Sequence, residues 1–574
     1  MKRFSVMISM IARRRAPAIA AVATFLALLP ALAIAQSSSG DGVLAVVAIH
    51  SYSDLKQQLN WLGPHIDQAG LAGIAESGFL LATHGKGMTG LDENRPIGFV
   101  VTASDGDIAI HAIVPVTDLD KLLGAFQDAT GPVETDGDFR RFTLPSGQEI
   151  EIDERDGWAV IGEPGKAIGI ADPAKLLDPL VKDITLVVAA HPSVMPEPLL
   201  RKFVVGIEAS LAVGWGRRAA GGDPTFKGPP LYQRALFNAL NNLSAVETLS
   251  LALAVDPQDN TLFLENKVIL VNGPRTSTAT TPLTVPIAAP RYGGRPAIKA
   301  QAVLPLNDSQ KRQLPAILNR ILPLNTHEEA RIFSAVVRSV VEVIAEAGGL
   351  DAALTVDTSV AGELPMITIG AHVADGPKLE RLVKGLFESN SKLPKQVKAK
   401  FDTGKVGKAN LHTVTIDVSA TPAAGIVGPA VELTLAVTPD YAFILHGGDV
   451  LARLGELLVS KGQANRSVSD EEVPGLAIEL ALDQILAHAA SMGFGQQAEV
   501  AAEKAASRTD TDEDSGSIHL STKPIDRGIV TRLTVGTGAF EAVAAMTKLE
   551  PWIGSLLARP EQRLPADREP AGAR

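Results

Sequence analysis

Three kinds of spacing in this chain could carry chemistry: clustered glycines, alternating carboxylates and paired histidines. Gly85-Lys86-Gly87-Met88-Thr89-Gly90 has the spacing of a dinucleotide fingerprint, in which small residues let a helix N-terminus approach a pyrophosphate. That mechanism needs a helix to open at the glycines. Leu91-Asp92-Glu93-Asn94-Arg95-Pro96 follows instead, and its acids and proline read as a connecting loop. Asp510, Asp512 and Asp514 alternate as the first ligands of a calcium loop do. Ser515 and Ser521, however, stand where that loop requires glycine and a bidentate acid, so a solvated acidic loop is expected. The eleven histidines are scattered, with no His-x-x-x-His pair and no His-Glu-x-x-His run. His111 and His372 fall on strands that correspond between two halves of the chain. They align with Gly370 and Ile113 rather than with each other, so no shared metal site is expected. There is no Gly-x-Ser-x-Gly elbow and no Walker-type loop. No catalytic, cofactor-binding or metal-ligating residue is therefore assigned, and no cofactor is expected.

Composition narrows the classes further. The chain has 574 residues, 46% hydrophobic and 20% charged, and no cysteine. The absence of cysteine excludes a disulfide scaffold, thiolate metal sites and a thiol nucleophile. The first 35 residues hold five basic side chains (Lys2, Arg3, Arg13, Arg14 and Arg15) and no acidic one. An apolar stretch runs from Ala16 to Ala35, and Ala33-Ile34-Ala35 precedes Gln36 as a cleavage site would. This is the pattern of a secretory signal peptide, and it places the mature protein in the periplasm or outside the cell. Beyond it remain 48 basic and 64 acidic residues, a formal charge of −16. Phosphate backbones and anionic lipid would repel such a chain. Nucleic-acid partners and membrane insertion after signal cleavage are thus not expected.

The elements that would position any site follow a pattern that occurs twice. After a flexible leader (36–42), the first lobe (43–275) opens with the apolar strand Val43–Ile49. A helix from Ser53 and the hairpin Ile97–Ser104/Asp107–Val116 follow, turning at Asp105-Gly106. A helix capped by Thr117 and Asp120 follows, with Leu119, Leu122, Leu123 and Phe126 on its buried face. A second hairpin turns at Asp156-Gly157. The strand Ile184–Ala190 comes next, then helical segments at Glu197–Leu211 and Leu231–Leu243, and the pair Thr248–Val255/Thr261–Val271 ends the lobe.

The Thr- and Pro-rich stretch 276–296 reads as a linker. The second lobe (297–558) restarts with Ile298–Leu304, a helix from Asp308, the long amphipathic helix Glu328–Ala347, and strands Leu350–Asp357 and Met366–Val373. Leu119-Asp120-Lys121-Leu122-Leu123 aligns with Leu379-Glu380-Arg381-Leu382-Val383 at an offset of 260. Glu149–Ile152 aligns with Glu432–Leu435, and Trp158–Ile161 with Tyr441–Ile444, both at 283. Ile184–Ala190 matches Leu476–Leu482, and Ser517–Thr522 with Ile529–Val535 matches the closing pair. The recurring acids and bases on the helix, Asp120 with Glu380 and Lys121 with Arg381, are assigned to solvation and capping. The expected class is α+β: two related lobes, each a largely antiparallel sheet with helices packed on one face. Residues 559–574 read as a disordered tail.

The export signal, the Leu-Asp-Glu-Asn-Arg-Pro loop at 91–96 and the passage Val114-Pro115-Val116-Thr117-Asp118-Leu119 together resemble a group of uncharacterised bacterial exported proteins. The resemblance covers most of the first lobe and, less fully, the second. It implies location and architecture, and carries no activity. The function expected is that of an exported, non-enzymatic protein binding another envelope or extracellular component. The competing expectation is an envelope hydrolase or small-ligand receptor with its site where the lobes meet.

Overall fold

A computed structural model describes residues 42–65, 68–104, 107–136, 139–144, 146–165, 170, 172–201, 205, 243–271, 296–305, 311–312, 343, 346, 349–358, 364–389, 396–419, 429–464, 475–491 and 516–540. The signal peptide, the leader before Gly42, the linker before Pro296, most of the helices expected at 197–211, 231–243, 308 onward and 328–347, the Asp510 loop and the tail lie outside them. The chain divides into two compact units, Met1–Pro257 with Leu264–Ser277, and Gln258–Phe263 with Thr278–Arg574. Its described parts are mixed, mostly antiparallel sheet with some helices. No helix among the described residues is long and apolar enough to cross a membrane.

The first unit contains β1 (Gly42–Ile49), α1 (Tyr52–His65), α2 (Leu71–Ala82), β2 (Ile97–Ser104), β3 (Asp107–Pro115), α3 (Leu119–Thr130), β4 (Glu134–Asp136), β5 (Phe139–Thr143), β6 (Glu149–Arg155), β7 (Trp158–Gly162), α4 (Pro173–Val181), β8 (Leu186–Ala190), β9 (Val246–Asp256) and most of β10 (Thr261–Leu270). The strands hydrogen-bond in the order β10-β9-β8-β1-β2-β3-β7-β6-β5-β4. The unbroken apolar run of β1 suits its place between β8 and β2, where both of its faces are covered. On one face, Leu177 and Val181 of α4 pack with Val46, Ala48, Val100, Ile113, Trp158 and Val160. On the other, Leu119 and Leu122 of α3 pack with Leu91, Val116, Ile152 and Ala159. Helices therefore cover both faces, which corrects the expectation of a single covered face. The miss has a physical cause: α4 is only 9 residues long, with Pro179 inside it, and has too few turns to show a helical period.

The second unit contains β11 (Ile298–Pro305), β12 (Gly349–Asp357), β13 (Met366–His372), α5 (Gly376–Ser389), β14 (Val397–Val406), β15 (Ala409–Asp417), β16 (Ala430–Val437), β17 (Tyr441–His446), α6 (Val450–Ala464), β18 (Leu476–Ala481), α7 (Leu482–Ser491), β19 (Ser517–Ile525) and β20 (Gly528–Gly536). Its order is β20-β19-β18-β11-β12-β13-β17-β16-β15-β14. Here too, α5 packs on one face through Leu379, against Ala371 and Ala442. Helix α6 packs on the opposite face through Leu454 and Leu457, against Leu411, Ala436, Phe443 and Leu445.

Each strand of the second order stands where the strand numbered ten lower stands in the first. The registers agree as well. In the first unit the Val116 amide donates to the Gly157 carbonyl at 2.8 Å; in the second, Val373 donates to Asp440 at 2.9 Å. Both are followed by an N-capping aspartate: Asp118 accepts from the Lys121 amide at 3.0 Å, and Asp375 from the Lys378 amide at 2.8 Å. These caps correct two expectations. Asp118, not Thr117, caps α3, because the residue directly before the helix is Asp118 and its carboxylate accepts from the Lys121 amide. The helices also match through their caps at a spacing of 257 rather than 260. Three residues are nearly one helical turn, so an amphipathic face aligns with itself almost as well when shifted by that amount. The register likewise sets Thr368 and Pro115, rather than Gly370 and Ile113, at the positions matching His111 and His372.

Candidate functional site

The fingerprint-like glycines sit in a run of turns after α2. Gly85, Gly87 and Gly90 all adopt positive φ, and the chain passes from them into an isolated bridge, Leu91 to Val116, without opening a helix. Gly90 is fixed by packing: a Cβ there would lie 2.2 Å from the Asp118 carbonyl oxygen. His111 is fully buried, with Nε2 3.1 Å from the Thr102 hydroxyl. His372 lies with its ring edge-on to Tyr441, centroids 5.4 Å apart. The Asp510 cluster falls outside the described residues.

One group of ionisable side chains in the described residues comes from three elements that no motif links: Glu380 and Lys384 on α5, Asp402 on β14, and His412 on β15. Glu380 and Lys384 lie one helical turn apart, so they share a face of α5, and their ion pair is 2.7 Å long. The Lys384 ammonium also donates to both Asp402 carboxylate oxygens, at 2.8 and 2.9 Å. Asn410 donates to the other Glu380 oxygen at 3.0 Å. Asp402 sits where the β14–β15 register slips between Lys400 and Gly404, with a left-handed φ of 53°. That bulge aims its backbone amide at His412 Nδ1, 3.0 Å away. The His412 side chain is 1% exposed, and its ring packs edge-on against Phe401, which in turn meets Phe387.

Glu380, Asp402 and His412 each offer a ligand atom, and these atoms lie within 4.8 Å of one another. The hydrogen bonds nevertheless argue against a divalent cation. Nδ1 accepts from the Asp402 amide, so the neutral imidazole carries its proton on Nε2, the atom that points to Glu380 at 3.5 Å. A protonated Nε2 has no lone pair for a metal, and Lys384 already supplies the cation that the two carboxylates share. The arrangement is an ammonium-centred ion network with a neutral histidine against it.

The electrostatics agree with this reading. Burial pushes the His412 imidazole below its ordinary pKa, against the pull of Glu380. Burial alone would raise the Glu380 carboxyl, but hydrogen bonds from Lys384 and Asn410 outweigh it and hold the group low. Lys384 holds Asp402 low, and Asp402 and Glu380 together raise the Lys384 ammonium. All four groups thus keep their neutral-pH charge states, and none is poised to exchange a proton near neutrality.

Sequence reading missed this group because 380, 402 and 412 become neighbours only through the β14–β15 hairpin and the α5 crossover. Glu380, assigned there to solvation, is 13% exposed.

The other feature that departs from a plain folded surface is α2. Ile74, Phe79, Leu80 and Leu81 are 56%, 37%, 42% and 81% exposed. Among the described residues no other helix or strand exposes four large apolar side chains. The single charge on the helix, Glu76, is paired with Lys56 of α1 at 2.8 Å. Comparison with protein-family models, curated proteins and solved structures finds no match to this chain.

Proposed function

We propose that this chain is an exported, non-enzymatic binding protein of two units with a common origin, and that α2 meets an apolar surface of another envelope protein. The exposed Ile74, Phe79, Leu80 and Leu81 on one short helix carry the reading. Apolar area concentrated this way is costly to leave in water and marks interaction sites. The partner surface is apolar and uncharged, because Glu76 is already neutralised by Lys56. A protein suits the site better than an anionic bilayer, since the chain beyond residue 35 bears a formal charge of −16. Export rests on the basic and apolar pattern of residues 2–35. The parallel strand orders and matched caps support descent of the two units from one ancestral sheet.

The double substitution Ile74→Gln with Leu81→Gln tests the docking surface. It is expected to abolish partner binding while leaving the thermal unfolding midpoint unchanged, as both side chains are already in water. Binding that survives the substitution, or co-sedimentation of the wild-type chain with phosphatidylglycerol vesicles, would remove the basis for the proposal.

A further inference from the structure

Charge is spread unevenly along this chain. Beyond residue 35 its formal charge is −16, yet residues 389–416 hold six lysines (Lys392, Lys395, Lys398, Lys400, Lys405 and Lys408) and one acid, Asp402. Lys398, Lys400 and Lys405 lie exposed on β14, and Lys408 lies exposed in the turn to β15. Among the described residues none of these four ammonium groups forms an ion pair or a hydrogen bond. Asp402 and Asp417 lie close enough to feel Lys405 and Lys398, but both are engaged elsewhere. Asp402 accepts from Lys384, and Asp417 from the Ser419 amide and hydroxyl.

The same strand is an open sheet edge. Among the described residues β14 pairs with β15 alone. The Gln396 carbonyl accepts from the Asp417 amide at 2.8 Å, and bonded and non-bonded pairs alternate along an antiparallel ladder. Lys398 and Lys400 therefore exchange backbone bonds with β15, while the N–H and C=O groups of Val397 and Ala399 point out of the edge. Side chains alternate as well. Lys398 and Lys400 pair with Thr415 and Thr413 on the side of the sheet that carries α6. Val397 and Ala399, both half-buried, pair with Ile416 and Val414 on the side that carries α5. Glu432 shares the Lys398 row but lies a further strand away, beyond Thr415.

We propose that the β14 edge takes an extended segment of a partner protein in which aspartate or glutamate alternates with aliphatic residues. Strand addition draws affinity from backbone bonds and selectivity from alternate side chains. In an antiparallel arrangement the carboxylates fall opposite Lys398 and Lys400, in the non-bonded pairs where side chains approach most closely. The aliphatic residues then meet Val397 and Ala399. Lysines on an edge turn away a strand like their own and penalise an apolar one; carboxylates opposite them reverse that bias. The matching edge of the first unit, β4, is Glu134-Thr135-Asp136, whose acids would reject the same segment. Nothing in this proposal depends on α2.

The test is fluorescence anisotropy of labelled octapeptides titrated with the full chain. One peptide alternates glutamate and valine; a second has the same composition in two blocks. Wild type is compared with Lys398→Gln/Lys400→Gln, which changes only exposed side chains, and with Ala399→Pro, which removes an edge-facing N–H at a place where proline is tolerated. Saturable binding of the alternating peptide to wild type is expected, about tenfold or more weaker in the lysine double variant. The Ala399→Pro chain should lose binding with every lysine in place, and the block peptide should bind wild type at least tenfold more weakly. Equal binding of both peptides, or full binding by a folded Ala399→Pro chain, would reduce the edge to a non-selective polyanion surface and overturn the proposal. Should Ala399→Pro fail to fold, the two peptides on wild type and on the lysine variant still decide. Light scattering that shows wild type self-associating through Lys398 and Lys400 would give the edge to a second copy, and that too would overturn it.

Discussion

Arg140 in the first unit and His412 in the second occupy the same place in their sheets. Arg140 pairs with Ile152, which pairs with Ile161, which pairs with Ala112. His412 pairs with Leu435, then Ile444, then Ile369. Each meets an acid from the helix above it: Asp120 at 3.0 Å from Arg140, and Glu380 at 3.5 Å from His412. The surroundings differ. Asp120 is 78% exposed, an ion pair in water. Glu380 comes from one turn further along its helix, is largely buried, and is bonded by Lys384 and Asn410, while the Asp402 bulge donates to His412. One scaffold position thus hosts either a solvated pair or a buried network, and the deciding factor is how much of the helix covers the strand. The sheet edges show a similar divergence. β4 ends the first sheet with three residues, whereas β14 runs for ten and carries Lys398, Lys400, Lys405 and a bulge. Both are ways of making an edge unattractive to another strand.

Substitutions can sharpen this contrast, beginning with the cores. Trp158, 1% exposed and covered by the Arg95 guanidinium at 4.2 Å, should lose about 3–5 kcal/mol as Trp158→Ala. Its counterpart Tyr441 is only half-buried, and Tyr441→Ala should cost clearly less. Hydrogen exchange of the unit concerned measures both, and equal losses would erase the difference in core completeness. The ion networks come next. Lys384→Met leaves two partly buried carboxylates without their cation and should cost about 2 kcal/mol. Asp120→Asn should stay within about 0.5 kcal/mol. Denaturant unfolding compares the two variants, and a reversed ranking would break the buried-versus-solvated distinction.

Acidification gives a smaller effect. Burial lowers the folded His412 pKa, so the unfolded chain, with a histidine value of about 6.5, takes up that proton first. His412's contribution is complete above about pH 6.5 and is lost as pH falls through that value towards the folded one. The lowered Glu380 and Asp402 contribute above their unfolded values near 4, and that part is lost at still lower pH. His412→Gln should flatten the first window only. The smallest effect concerns metal: zinc should leave the melting temperature unchanged, because Nε2 is protonated and Lys384 holds both carboxylates. A zinc-dependent rise that disappears in His412→Gln would show that the network can open to a cation.

Much of the framework was legible in the residues. The continuous apolar run of β1, the Asp156-Gly157 turn with both residues at positive φ and the recurring β6–β7 pattern all express local preferences. What escaped reading was short or non-local. β4 and β5 are too brief to show a period, and α4 spans only 9 residues. The helix alignment slipped by one turn because amphipathic helices look alike after such a shift. The Glu380 network has no sequence signature, since it exists only once distant strands are in register.

The account turns most on α2 as a docking surface, and site-specific photo-crosslinking tests it directly. A photoreactive residue replaces Leu81 on α2 or, as an equally apolar control, Val459 on α6, which is 75% exposed. In the native envelope, Leu81 should give one discrete protein adduct that vanishes when Ile74→Gln is added, and Val459 should give none. The same adducts from both positions, or no protein adduct from Leu81, would contradict the account.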